Sequence, residues 1–223
     1  GRLFGNRIKS RTRDLLTDVL GAVTLIGAAS AVGSLFEDEI VSSVPNGFPI
    51  LIVLASLILG GLIGSSMRLE ERLNGLGVIL NRRFANSESS ASSEKFIAGF
   101  VTASLIFVIG PLAILGSISD GIDQLMLKSI LDFFASIAFA ASLGWGVAFS
   151  ALSVGIYQGL WTIVGFGLGS VLTEYQIQSM TATGGVLLFG IALKLLRIKE
   201  IAIGDLLPAL AFAPLIALLA SNF

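Results

Sequence analysis

The sequence predicts an all-α fold, a polytopic bundle of transmembrane helices with seven spans visible in 223 residues. Three observations predict it. Apolar stretches of about twenty residues recur almost free of charge, the length a helix needs to cross ~30 Å of hydrocarbon. The composition, 54% hydrophobic and 13% charged with a mean hydropathy of +0.91, lies outside the balance of a soluble domain. Of the 14 Lys and Arg residues, all but Lys128 fall in segments that share one side when the apolar runs are threaded as alternating spans.

Residues 1 to 14 (GRLFGNRIKSRTRD) are rich in Arg and Lys and lead into the first span, 15 to 35. Because no Met precedes Gly1, and GRLFG resembles the last turn of an apolar helix reaching a basic interface, an eighth span is expected upstream. The acidic loop Glu37, Asp38, Glu39 separates the first span from the second, 48 to 67. Residues 67 to 84 (MRLEERLNGLGVILNRRF) alternate basic and apolar positions. That pattern suits a helix in the membrane interface with Leu69, Leu73, Leu76 and Leu80 facing lipid. The stretch ANSESSASSE, 85 to 94, is too polar to bury apolar surface and is expected to be a mobile connector. Within a single membrane domain, 1–223, it separates N-terminal spans and an interfacial helix (1–84) from C-terminal spans (96–223), with 85–95 as the flexible loop.

The third span, 97 to 117, carries Gly110 and Pro111 at its middle. Proline removes one helical hydrogen bond and clashes with the preceding turn, so the span is expected to kink or break there. A freed carbonyl at membrane depth needs a partner, and broken helices are tolerated where they face protein or a wet cavity. Thr102, Ser104, Ser117 and Ser119 supply polar groups nearby. The fourth span, 126 to 148, begins with Lys128 and Asp132, four residues apart and so on one helix face. The fifth, 152 to 172, holds Tyr157, Gln158 and Thr162 among apolar neighbours, and Gly155 and Gly159 at a spacing that lets another helix approach. The sixth runs from 181 to 197. The seventh, 202 to 221, is expected to bend at Pro208 and Pro214, with Asp205 at its start, as Asp18 is at the start of the first span, each a carboxylate placed to cap the positive end of its helix dipole as a structural group.

With this threading, residues 1 to 14, the 68 to 96 segment and the turn of Lys194, Arg197 and Lys199 share one side. Glu37, Asp38, Glu39, Asp120, Asp123 and Glu174 share the other, with Lys128 as its one base. By the positive-inside rule the basic side is cytoplasmic and Phe223 lies outside. The segments GAVTLIGAA (21 to 29) and GGVLLFGIA (184 to 192) share small and apolar residues and run in opposite directions, the pattern of an inverted repeat. Close helix packing in lipid recruits the same residue types.

Composition excludes much chemistry. The chain has no Cys and no His, which removes disulfides, thiolate nucleophiles and the commonest general base and metal ligand. No nucleic-acid footprint and no cofactor motif is present, and Asp120, Asp123 and Asp132 match no metal motif. The protein is therefore expected not to be an enzyme. The intramembrane Lys128 and Asp132 are functional candidates, because a lone charge in a span costs a few kcal/mol and must pair or face water. A structural ion pair, or a Lys128 that reaches to the interface and leaves Asp132 behind, is the alternative.

The runs GFVTASLIFVIGPLAILGSISDG and LKSILDFFASIAFA, the YQGL at 157 to 160 and the closing LLPALAFAPLIALL resemble a bacterial multipass membrane family, domain of unknown function 554 (YqgA-like or YdfK-like). The similarity extends from residue 1 to the last span, and GPLAILGS and YQG are its most specific elements. Positions that match the family's polar pattern are Thr102, Ser104, Pro111, Ser117, Asp120, Gly121, Lys128, Ser129, Asp132, Tyr157 and Gln158. The resemblance implies a plasma (inner) membrane location and a further apolar segment upstream, and it implies no substrate.

A secondary transporter or channel for a small solute or ion fits these features best. Its polar site would lie between the kinked span and the two that follow, with Asp132 as the proton or cation coupling group. A non-catalytic scaffold or accessory subunit is the alternative, ahead of a membrane-embedded enzyme. The expected partners are the lipid bilayer, the transported species and a second copy packed through Gly-rich faces such as Gly60 and Gly64.

Overall fold

Lipid offers no water to exposed backbone groups, so a chain of this composition closes its hydrogen bonds within helices. The computed structural model describes residues 9–85, 90–109, 122–168 and 172–222, with the backbone alone at 10, 122–125 and 164–168. Among these there is no strand. The helices are α1 (Ser10–Val32), α2 (Asp38–Ser43), α3 (Phe48–Met67), α4 (Leu69–Leu80), α5 (Ser90–Ile109), α6 (Ile122–Leu143), α7 (Ser150–Leu168), α8 (Glu174–Leu195) and α9 (Ala209–Ala220). Short 3₁₀ turns at Gly33–Phe36, Trp145–Phe149 and Ile203–Leu206 and a π turn at Asn81–Ala85 join or extend them. Among the described residues, seven helical runs are long and apolar enough to cross a membrane, as many as the sequence predicts.

The chain divides into two compact units, each assembled from separated segments. One contains residues 1–22, 71–108 and 112–169, and the other 23–70, 109–111 and 170–223.

In the first unit α5 is the central helix, buried nearly all round at Phe96, Phe100, Val101, Leu105 and Phe107. α6 lies antiparallel to it. The Phe107 and Phe139 rings meet edge-on with centroids 6.1 Å apart, and Gly99 abuts the backbone of Leu143. α7 runs parallel to α5, since Phe96 meets Phe149 at the start of both and Ser104 meets Ser153 further along. α4 packs on α5 where Gly77 faces Ile97 and Phe100. Thr17 of α1 hydrogen-bonds Ser142 of α6.

In the second unit α3 and α9 are antiparallel and approach closely. A Cβ on Gly60 would collide with the backbone of Ala209, and one on Gly64 with the carbonyl of Asp205. Further along, Ile52 packs with Ala217, Ile40 and Val44. α8 runs antiparallel to the second half of α1, with Gly185 against Ala28 and Val32, and Ala182 with Leu35 and Val53. Between lipid-soluble helices such small-residue contacts replace the hydrophobic driving force that lipid cancels.

Three expectations change. The Ser-rich stretch is not a connector throughout: Ser90–Glu94 form the first turn of α5, where the Asn81 amide donates to the Ser93 hydroxyl and ties the start of the helix to the π turn. α8 begins at Glu174, seven residues before the predicted sixth span. Of the leucines assigned to lipid on α4, only Leu76 is exposed. Leu69, Leu73 and Leu80 are half-buried and Ile79 is exposed instead, because Gly77 lets that face close on α5.

Candidate functional site

Within the first unit, α5, α6 and α7 carry the described part of the predicted site. Lys128 and Asp132 form a hydrogen-bonded ion pair one helical turn apart on α6; the Lys128 side chain is 7% exposed and that of Asp132 30%. The pairing satisfies each charge locally inside an apolar helix. Lys128 near the N-terminus of α6 opposes the helix dipole, so the pair gains nothing from helix electrostatics. Ser129, next to Lys128, points outward.

On α5, Thr102 and Ser104 are buried, and the Ser104 hydroxyl donates to that of Ser153 on α7 at 3.1 Å. One turn beyond Ser153, Tyr157 and Gln158 are half-buried. The Tyr157 ring stands edge-on to Trp161 at 6.2 Å, and the Thr162 hydroxyl donates to the Gln158 carbonyl at 2.9 Å. The structure thus joins Ser104 to α7 and Lys128 to Asp132. Tyr157, Gln158 and Thr162 make their described contacts within α7. Gly110, Pro111, Ser117 and Asp120 lie outside the described residues, as does the predicted kink; α5 is described as far as Ile109.

The second unit contains polar groups that sequence reasoning missed. At the start of α8, Gln176, Gln178 and Ser179 are buried, with Thr183 one turn on. The Gln178 side chain accepts from the Ile40 N–H at 2.9 Å and donates to a Glu39 carboxylate oxygen at 3.0 Å, while its backbone carbonyl accepts from Ser34 at 3.0 Å. Gln176 accepts from the Thr173 N–H and hydroxyl, each at 2.9 Å, and donates to the Pro214 carbonyl at 3.1 Å. The signal was present in the chain, because Thr-Glu-Tyr-Gln at 173 to 176 is a capping-box sequence that marks a helix start.

The opposite end of this unit is closed by a reciprocal clasp. Asp205 accepts the Glu70 N–H at 2.9 Å, and Glu70 accepts the Gly204 N–H at 2.7 Å. Lys194 stands 3.4 Å from Glu70 and 3.5 Å from Glu200. Asp205, expected to cap its own helix, caps the first turn of α4 instead.

No group of three or more acidic side chains close enough to hold a metal occurs among the described residues. A small cleft of about 140 Å³ lies in the 35–50 region, lined by apolar side chains such as Leu35, Phe36, Val41 and Ile50. Gly60 and Gly64, candidates for subunit contact, are spent on Ala209 of α9 and on Asp205 in the 3₁₀ turn before it, whereas Gly155 and Gly159 on α7 face open space.

The sequence model of the family described as "Protein of unknown function (DUF554)" matches residues 1–218. The chain is 30% identical over 220 residues to the uncharacterized membrane protein YdfK of Bacillus subtilis (strain 168), covering 97% of this chain and 88% of that protein. It is 30% identical over 217 residues to the uncharacterized protein YqgA of Escherichia coli (strain K12), covering 96% and 87%. No solved structure matches.

Proposed function

This chain belongs to the DUF554 family, and we propose that it is a secondary transporter or channel for a small solute or ion, resident in the plasma (inner) membrane. The observation that carries this reading is the Lys128–Asp132 pair, an ammonium and a carboxylate held inside an apolar span. A charge costs about 2.5–3.5 kcal/mol at the centre of a span on insertion scales and less towards its end, where these two lie. A span that needed only packing would do without them. Asp132, the more exposed partner, is the proton or cation coupling group: binding a proton or cation there competes with Lys128 and frees the ammonium to move. The Ser104–Ser153 hydroxyls and the polar residues of α7 line the path on neighbouring helices of the same unit.

The threading has the basic side in the cytoplasm and Phe223 outside. Contacts within each unit support it. In the first unit, segments bearing Arg13, Arg72, Arg82, Arg83 and Lys95 gather with the 142–149 turn at one end. In the second, the Glu70 and Lys194 clasp gathers Arg68, Arg197 and Lys199, while Glu37, Asp38, Glu39 and Glu174 belong to the other end, around Gln178 and Thr173. The opposed directions of α1 and α8 are what an inverted pair of segments requires.

The test is flux in proteoliposomes containing wild type or Asp132→Asn, scanning protons, monovalent cations and small anions under imposed pH and voltage gradients. Wild-type flux that the folded Asp132→Asn protein loses supports the reading. Equal flux in both proteins removes Asp132 from the mechanism, and no flux for any species shifts the reading to a scaffold or accessory subunit, for which a self-satisfied ion pair on one helix suffices.

A further inference from the structure

The α4 edge of the first unit has a surface that the transport reading does not use. On α4 and the π turn that extends it, Leu76, Ile79 and Phe84 are exposed, and so are Arg72, Arg82 and Arg83. Three large apolar side chains in water would be a liability, and three arginines in hydrocarbon would be a larger one. Both are satisfied at the boundary between acyl chains and headgroups. The bilayer reaches this place, because α4 follows α3, a span, after Arg68 alone and rests through Gly77 on the opening turns of α5, another span.

The aromatic side chains point to the same level. Phe149 is the hub of three ring contacts, with Phe84 at 5.3 Å, Phe96 at 5.4 Å and Trp145 at 6.1 Å. Trp145 is itself exposed, and tryptophan concentrates at the headgroup level of membranes. The cluster therefore sets Trp145 and Phe84 side by side around Phe149, with Arg83 and Arg82 next in the chain to Phe84.

Charge selects the lipid. The exposed ionic groups of 69–85 are Arg68's successors Arg72, Arg82 and Arg83 against one carboxylate, Glu71, since Glu70 is engaged by Gly204 and Lys194. On the adjoining first turns of α5, Glu94 and Lys95 offset each other. Neither Arg82 nor Arg83 forms an ion pair with another described residue. We infer that this edge is a docking surface for an anionic phospholipid of the surrounding leaflet, its phosphodiester held by Arg82 and Arg83 with Arg72 alongside, and its acyl chains against Leu76, Ile79, Phe84 and Trp145. A zwitterionic lipid meets the same apolar surface but carries a cation that the arginines repel. Each arginine at the surface favours an anionic headgroup by roughly fivefold.

Trp145 reports on the site directly. In a Trp161→Phe background it is the one remaining Trp, since the chain has two. The full chain is reconstituted in phosphatidylcholine vesicles that contain brominated phosphatidylglycerol or, at the same mole fraction, brominated phosphatidylcholine. The brominated anionic lipid is expected to quench Trp145 more strongly. That preference is expected to vanish in Arg82→Gln/Arg83→Gln, to persist in Arg82→Lys/Arg83→Lys and to weaken as salt is raised. Equal quenching by the two lipids in the protein with its arginines intact overturns the inference, and so does a preference undiminished by the glutamine pair. Quenching by brominated phosphatidylcholine, unchanged in every variant, confirms that the variants insert and fold alike.

Discussion

Replacing Asp132 by Leu separates a structural ion pair from a self-contained charge more sharply than any other single change. It leaves the Lys128 ammonium, on a side chain only 7% exposed, without its carboxylate. Removing one partner of a buried pair costs about 3–5 kcal/mol, whereas an exposed i,i+4 pair contributes only about 0.3–0.5 kcal/mol. The two side chains fall on opposite sides of that divide, Lys128 at 7% and Asp132 at 30%. Asp132→Leu is therefore expected to destabilise by about 3 kcal/mol, at the low end because a long lysine regains some water by stretching. That is roughly a hundredfold in the unfolding equilibrium. Lys128→Met strands the Asp132 carboxylate, which is 30% exposed, and is expected to cost about 1 kcal/mol. Lys128→Met/Asp132→Leu removes both charges and is expected within about 1 kcal/mol of wild type. Equilibrium unfolding in mixed micelles at increasing SDS, followed by helical circular dichroism, measures all three. Equal costs for the two single variants, or a double variant as unstable as the sum of both, would refute the assignment of Lys128 as the buried member of a coupled pair. A stable double variant without flux would show that the charges serve transport and not folding.

Other outcomes follow from the second unit. Glu70→Ala removes a charged acceptor from the buried Gly204 N–H and is expected to cost about 2–3 kcal/mol, whereas Glu70→Gln keeps an oxygen there and costs about 1 kcal/mol; thermal unfolding in detergent that ranks them the other way contradicts the clasp. Gly64→Ala sets a methyl group against the Asp205 backbone, which cannot rotate aside, and is expected to cost at least about 2 kcal/mol. Gly61→Ala meets only the tip of Leu206 and is expected to cost less than about 1 kcal/mol by the same assay. Gln178→Leu leaves the buried Ile40 N–H without its acceptor, so that amide is expected to exchange with solvent faster; unchanged exchange would show that the bond is not what protects it.

Much of the fold was legible because the bilayer constrains sequence so strongly. Seven apolar runs are a large signal that no single residue can blur. The ion pair was legible for a local reason: Lys128 and Asp132 are one turn apart, so no tertiary knowledge was needed to set them on one face. Ser153 and Ser142 were not, because a lone serine in an apolar run carries no information about which helix it faces; only packing pairs them with Ser104 and Thr17. The glycine pairs make the same point. Gly60 and Gly64 have the spacing of Gly155 and Gly159, yet the first pair is filled by α9 and the 3₁₀ turn before it, and the second is open. The start of α8 is written in its cap and not in its hydropathy: the apolar run begins at 181, while Thr173 and Gln176 mark the helix start. On α4 the leucine stripe suggested one lipid face, but Gly77 decided which side could approach α5.

As the coupling group, Asp132 must face a water path within the span, and the absence of Cys from the chain allows a clean test. Asp132→Cys and Phe134→Cys are each made in the otherwise thiol-free protein, reconstituted, and exposed to a charged, membrane-impermeant methanethiosulfonate reagent. Phe134 is exposed on the apolar surface of the same helix and serves as the lipid-facing reference. The cysteine at 132 is expected to be modified in the folded protein, and more slowly in the presence of the transported species, while the cysteine at 134 is left unmodified. A cysteine at 132 as unreactive as the one at 134, in protein that labels fully at both positions once denatured, would contradict that role.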